Sequence, residues 1–210
     1  MNTTTQTEKF RNTLDREAAI YGVTLTTEAL DRLSQYYELL NLWNSRVHLV
    51  APCSPEEFAT RHVLESLVLL KHLPADASLA DVGTGGGLPS IPCLIVRSEL
   101  RAILIESSQK KAVFLREALS QAGVLTRASI INERFENIVA PAVDFVTCRA
   151  LDRFEEMLPE LFEWAPLKST LLLFAAQTLE TQIEKLGLVS ERELMPRSEG
   201  RYLFVVKKIG

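Results

Sequence analysis

Long apolar runs are missing. No stretch of the 210 residues approaches the roughly 20 that a bilayer-crossing helix needs, so no membrane partner is expected. The chain also lacks a charged-then-apolar leader at its start, which gives a cytoplasmic expectation. Cysteine is scarce: Cys53, Cys93 and Cys148 lie far apart with no CxxC pair. That spacing excludes a disulfide framework and a zinc cluster, and three histidines add no partner, so no metal is expected. Positive charge is not in excess either. Lys and Arg number 23 against 27 Asp and Glu, a net charge of −4, so a nucleic-acid partner would have to meet a local basic patch.

What is present is an ordinary core: 47% hydrophobic against 24% charged residues. Met1 to Gln6 is a polar run without an apolar anchor. Thr26-Thr27-Glu28 supplies a cap and an acidic first turn, after which Leu30, Leu33, Tyr37, Leu40 and Trp43 recur at helical spacing until Asn44-Ser45. Ser54-Pro55-Glu56-Glu57 places an N-cap serine, a proline at the first helical position and a capping-box glutamate in order. That second helix should reach about Leu70, with Pro74 closing it.

From Ala77 the pattern changes to short apolar runs alternating with helical stretches. Strands are predicted at Ser78–Val82, Arg101–Ile105, Ala128–Asn132, Val143–Cys148 and Thr170–Phe174. A terminal hairpin is predicted from Leu188–Leu194 and Tyr202–Lys207, with Gly187 ending the preceding helix. The clearest intervening helix carries Phe114, Leu115, Ala118 and Leu119, and Pro159 should kink or restart the helix after the fourth strand. The expected class is α/β: a Rossmann-like, mostly parallel seven-stranded sheet with a C-terminal β-hairpin. Residues 1–75 would form an N-terminal helical extension and residues 76–210 the sheet domain, together one compact unit.

The sharpest local signal is Asp81-Val82-Gly83-Thr84-Gly85-Gly86-Gly87-Leu88-Pro89. An apolar strand ends in an acidic residue, and a glycine-rich turn leads into a helix. Glycine is needed where backbone must take positive φ or lie against a ligand. In an open α/β sheet this first strand-to-helix turn is where an adenosine-type cofactor binds. The dinucleotide pattern GxGxxG would require a glycine at position 88, which is Leu88. The observed Gly83-x-Gly85-x-Gly87, with Asp81 two residues ahead, instead suits S-adenosylmethionine, which has no pyrophosphate to cradle. Asp81 would hold the amino-acid end through its ammonium or a bridging water. Glu106, at the tip of the second strand, would accept the ribose hydroxyls.

Further segments extend the pattern: Leu39-Leu40-Asn41-Leu42-Trp43-Asn44, Arg61-His62-Val63-Leu64-Glu65-Ser66, Lys110-Lys111-Ala112-Val113-Phe114-Leu115, Arg134-Phe135-Glu136 and Thr147-Cys148-Arg149-Ala150. With the glycine loop, these make the chain resemble the bacterial small-subunit ribosomal RNA guanine-N7 methyltransferases (RsmG, also called GidB) over nearly its whole length. The resemblance implies an S-adenosylmethionine methyltransferase fold and methyl transfer to N7 of a guanine in 16S rRNA. The small ribosomal subunit would be the partner, and the enzyme a monomer. It implies that Gly83, Gly85 and Leu88 line the cofactor, that Phe135 and Glu136 sit at its adenine end, and that Arg149 faces the transfer site as the catalytic residue, bordering the cofactor. Phe135 could cover the adenine ring, and Arg149 could meet a phosphate or a guanine edge. The chain departs from the family pattern at His48-Leu49-Val50, at Ser90, and at Ala175-Ala176, where many members carry Lys-Gly.

N7 of guanine carries a lone pair and no proton, so no general base is required, in keeping with the lack of an evident one. Alignment then carries catalysis. Cys148 as a nucleophile would point to cytosine-C5 chemistry, but a small buried thiol is the simpler reading. Arg61–Glu65 reads equally as a helix-surface pair or, with His62, as an RNA contact. Lys110-Lys111 reads as a solvated face, and Trp43-Asn44 as packing. Two other functions stay open: methylation of another RNA base or a small molecule, and a non-catalytic RNA-binding relative.

Overall fold

The computed structural model describes residues 5–149 and 154–208. Met1 to Thr4 and Ala150, both used in the sequence reading, lie outside the described residues. The sheet has seven strands: β1 (Ser78–Val82), β2 (Arg101–Ile105), β3 (Ala128–Ile131), β4 (Phe145–Arg149), β5 (Thr170–Ala176), β6 (Ser190–Leu194) and β7 (Arg201–Lys207). Their order is β3-β2-β1-β4-β5-β7-β6, parallel through β5, with β7 antiparallel to both β5 and β6. The expected fold class and C-terminal hairpin are therefore present. β1 and β2 have the predicted bounds and the other strand ends shift by at most two residues; pairing with β7 carries β5 on to Ala176.

The chain turns back across the sheet between β1 and β4, and ligands bind outside the strand tips at such a switch point. Strand side chains alternate between two apolar layers. Leu79, Ala102, Leu104, Leu172 and Phe174 join one, while Ala80, Val82, Ile105, Cys148 and Leu173 join the other. The first layer continues without a break into the N-terminal helices α1 (Gln6–Glu17) and α2 (Thr27–Val47), and into α5 (Ser90–Val96) and α6 (Gln109–Gln121). The second is covered by α7 (Phe154–Trp164) and α8 (Thr178–Lys185).

Local chemistry sets the helix ends. Thr5 and Glu8 form a reciprocal capping box on α1, and Thr26 Oγ1 accepts from the Ala29 N–H at the start of α2. Asn44 does not stop α2. Its amide oxygen accepts from the Leu49 and Val50 N–H groups, and α2 ends at Val47 with His48 left-handed at φ 51°. Gly187, at φ 67°, terminates α8 as expected, with the Leu188 N–H reaching the Ile183 carbonyl.

The second predicted helix is more irregular than its sequence suggests. After α3 (Pro55–Glu57) the chain winds as a π-helix over Phe58–Leu64, returns to α in α4 (Glu65–Leu67), and tightens to 3-10 over Val68–Lys71. Ser54 caps it as expected. The capping-box expectation for Glu57 is corrected: its carboxylate accepts from Arg61 at 3.1 Å, within one turn of helix. The interruption expected at Pro159 is absent, since α7 runs through it. Glu155, whose carbonyl loses its helical donor there, is solvent-exposed, so water can substitute.

Candidate active site

Asp81, the penultimate residue of β1, is fully buried on the face covered by α2. The Thr84 hydroxyl donates to its Oδ2 at 2.7 Å. Its Oδ1 and the equally buried Ser90 Oγ form no well-made hydrogen bond, although Ser90 is near enough to favour the charged carboxyl. Burial outweighs this and lifts the Asp81 pKa to about 7, with Glu106 adding repulsion. A buried carboxylate oxygen without a donor is costly unless a ligand supplies one.

The loop after it is held from both sides. The Gly83 and Thr84 N–H groups donate to the Ile105 carbonyl, and the Gly85 N–H donates to Glu106 Oε2 at 3.0 Å. Glu106 Oε1 takes the Ser108 N–H at 2.8 Å, so this carboxylate ties the loop to the tip of β2. Gly83, Gly85 and Gly87 all have positive φ. A Cβ on Gly87 would lie 2.4 Å from Ile91 Cδ1, whereas one on Gly85 would meet only the Gly83 carbonyl at 3.8 Å. Gly83 and Gly85 are thus the half-open rungs of the loop, and Gly87 the packed one. Leu88, by contrast, is 6% exposed and joins the core under α2. Phe135 is buried, edge-on to Trp164 at 5.5 Å, and the Glu136 carboxylate pairs with Arg134 at 2.7 Å, which holds its pKa below the usual range.

Sequence reasoning overlooked Tyr36. It lies fully buried on α2, and its hydroxyl donates to the Gly86 carbonyl at 2.6 Å, tying the N-terminal helices to the glycine loop. Its position, three after Leu33 and four before Leu40, was the available signal.

Arg149, at the end of β4, falls one residue beyond the Val82–Cys148 pair, level with Gly83. Its guanidinium does not point freely into a crevice. Nη1 donates to Ser66 Oγ at 3.1 Å and the His62 carbonyl at 3.4 Å, while Nη2 donates to the Arg61 carbonyl and to Glu65 Oε2 at 3.3 Å. It also lies 5.3 Å over the Phe174 ring. Glu65, 2% exposed, takes Arg201 Nε and Nη2 on its other oxygen at 3.0 and 2.7 Å. The Arg61–Glu65 surface pair is therefore corrected: Arg61 pairs with Glu57, and Glu65 is a buried bridge between two arginines. Beside this network opens a cavity of about 630 Å³, lined by the π-helix, the tips of β4 and β5, the start of β7 and the start of α7. Cys148 is wholly buried between Val82 and Leu173, Lys110 is exposed, and Trp43 packs on Phe114.

A family model described as rRNA small subunit methyltransferase G matches residues 29–193. The chain belongs to the rRNA small subunit methyltransferase G family. Among its relatives, the ribosomal RNA small subunit methyltransferase G of Sorangium cellulosum is 36% identical over 186 residues, covering 85% of this chain and 77% of that protein. The protein of the same name from Nitrosomonas eutropha is 40% identical over 150 residues, 69% of each chain. Among solved structures, an RNA methyltransferase from Salinibacter ruber in complex with S-adenosyl-L-homocysteine aligns with TM-score 0.53 and 17% identity, covering 76% of this chain and 94% of that one. A SAM-dependent methyltransferase from Aquifex aeolicus aligns with TM-score 0.56 and 16% identity, covering 83% and 98%. These likenesses show the fold of S-adenosylmethionine methyltransferases. The methyltransferase G family signature spans both α2 and the π-helix, so it includes the two segments that buttress the glycine loop and Arg149.

Proposed function

We propose that this chain transfers a methyl group from S-adenosylmethionine to N7 of a guanine in 16S rRNA, acting as a monomer in the cytoplasm. The observation that carries the reading is the pairing of two features at the carboxyl-terminal ends of the neighbouring strands β1 and β4: a glycine loop with an orphaned buried carboxylate oxygen, and an aromatic-and-arginine cavity that includes Arg149, level with Gly83. Asp81 would receive the ammonium of the cofactor, directly or through water. Gly83 and Gly85 would lie against it, Glu106 would accept ribose hydroxyls on its remaining lone pairs, and Phe135 and Glu136 would border the adenine. When bound, the cofactor supplies an electrophilic methyl on a positively charged sulfur.

The protein's own contribution is alignment. With the cofactor held by the loop, the protein's residues would aim the lone pair of guanine N7 at the methyl group that the cofactor would supply, and the purine would take up the positive charge. No proton moves, so no base is needed. Positioning of this kind can supply up to about 7–11 kcal/mol. Arg149 is a positioning residue in this reading: it fixes the π-helix against the tip of β4 and so shapes the acceptor cavity. The burial of Cys148 disfavours a thiolate route.

The test is methylation of small ribosomal subunits from a strain lacking the activity, using labelled S-adenosylmethionine and mapping the modified base. Label on a guanine N7 of 16S rRNA is expected. Cofactor binding without transfer to rRNA would instead indicate a non-catalytic relative.

A further inference from the structure

A base presented for N7 methylation poses a recognition problem. N7 must stay unpaired, so the protein has to hold the base by a neighbouring atom. On that edge the neighbour is O6, an acceptor. The protein must therefore offer a donor near O6, and a fixed positive charge there would oppose the charge that the purine gains. Arg149 meets neither requirement, since its terminal nitrogens are spent on Ser66, Glu65 and two π-helix carbonyls. Arg201 gives Nε and Nη2 to Glu65 and carries a fixed charge, which fails the second requirement.

His62 differs. The π-helical turn carries it to the wall of the 630 Å³ cavity, a volume in the range that takes a nucleotide-sized ligand. Its ring leans on Phe58, with centroids 5.2 Å apart, and stays half-buried. No hydrogen bond to either ring nitrogen is formed among the described residues, and His62 is one of the residues that line the cavity. Phe174 and Tyr202 line the same cavity, each with one ring face already under an arginine.

We propose that His62 reads the acceptor guanine, one imidazole N–H donating to O6 beside the reacting N7. This rests on the guanine-N7 reading above and adds to it the residue that holds the base. Among the described residues, the charged groups that line the same cavity are Arg61 and Glu65 from its own segment, Arg149 from β4, Glu155 and Glu156 from α7, and Arg201 from β7. Burial first, and then Arg149, Arg61 and Arg201, push the His62 pKa down to about 3. The ring is accordingly an uncharged donor at any working pH, so it does not oppose charge developing on the purine. Adenine places an amino donor where guanine has O6, and would meet the His62 N–H donor to donor.

Two measurements test this. In the first, His62→Ala, His62→Gln and His62→Arg proteins methylate small subunits lacking the modification, and cofactor affinity is measured alongside. Expected are a loss of about tenfold or more in kcat for the alanine variant, the worth of one hydrogen bond, and substantial recovery for glutamine, which keeps a neutral donor. The arginine variant should be inactive, and all three should bind cofactor within about twofold of wild type. In the second, nitrogen-detected NMR of the wild-type protein follows the His62 ring during titration with guanosine or adenosine monophosphate. Guanosine monophosphate should shift it and adenosine monophosphate should not. Variants as active as an active wild type, or a ring unmoved by guanosine monophosphate, would overturn the role of His62 alone. A wild type that leaves rRNA unmethylated would overturn the functional reading instead.

Discussion

The Tyr36 hydroxyl donates to the Gly86 carbonyl at 2.6 Å across an interface where both groups are buried. This bond spans 50 residues of sequence and joins a helix that precedes the first strand to the loop that would cradle the cofactor. Burial and the nearby Asp81 raise the Tyr36 pKa, so the phenol remains a donor throughout the working range.

Tyr36→Phe should therefore remove a donor and leave a buried carbonyl unsatisfied. The expected loss is about 1–3 kcal/mol of unfolding free energy. Cofactor affinity should fall as well, because Gly86 sits between Gly85 and Gly87. Chemical denaturation and calorimetric titration check the two effects separately. A variant as stable as wild type, with unchanged affinity, would show that the N-terminal helices merely cover the loop.

Asp81 gives a pH dependence whose sign follows from its raised pKa. Between the ordinary aspartate value of 3.8 and about 7, the folded protein keeps a proton that the unfolded chain has lost. This contribution to stability is full below the unfolded value and fades as pH rises through the folded one. Cofactor binding runs the other way. If the ammonium needs a carboxylate, binding expels the proton, and affinity should rise by up to about tenfold per pH unit until the Asp81 pKa is passed, then level off. Asp81→Asn should bind more weakly and lose the slope. A wild-type affinity that is flat across neutral pH would mean that Asp81 does not charge on binding.

The glycines of the loop separate fold from function. Gly87→Ala forces a Cβ to 2.4 Å from Ile91 Cδ1 at φ +84°, both a clash and a left-handed residue. It should cost more than the roughly 1–2 kcal/mol of the backbone conformation alone. Gly85→Ala adds a Cβ into open space, with nothing nearer than 3.8 Å, at φ +55°. It should lose only about the backbone cost in stability, yet lose most cofactor affinity. Thermal melts with and without S-adenosylhomocysteine discriminate the two. An equal loss of affinity in both variants, scaled to stability, would deny Gly85 a ligand-facing role.

Much of this was legible in the sequence where one local rule dominated. Ser78–Val82 and Arg101–Ile105 are delimited correctly because each is a short apolar run with an acidic residue, Asp81 or Glu106, at its carboxyl end. The glycine loop announced itself because positive φ leaves few residue choices. What escaped depended on tertiary partners. Nothing in Phe58–Leu64 announces a π-helix, since its i→i+5 register is settled by packing and by the arginine that collects its carbonyls. Glu65 looked like a surface partner of Arg61 because helical spacing cannot see Arg201, 136 residues away. Arg149 was correctly placed at a strand tip, but its donors face the helix, a fact fixed by the strand's alternation and by no motif.

Arg149→Ala tests that last point directly. The side chain is 13% exposed and anchors the π-helix through Ser66, Glu65 and the carbonyls of Arg61 and His62. Removing it leaves Glu65 with Arg201 as its remaining partner among the described residues, so the charge is still compensated in part. Breaking a buried pair outright costs about 3–5 kcal/mol, and the loss here should fall below that range. The cavity wall, however, should relax, and methylation should be abolished because alignment is lost. Among the described residues, no hydrogen bond of the Arg149 guanidinium is to the glycine loop, so cofactor affinity should persist within a few-fold, as calorimetry would show. Loss of cofactor binding in step with methylation would move Arg149 from the acceptor side of the crevice to the cofactor side.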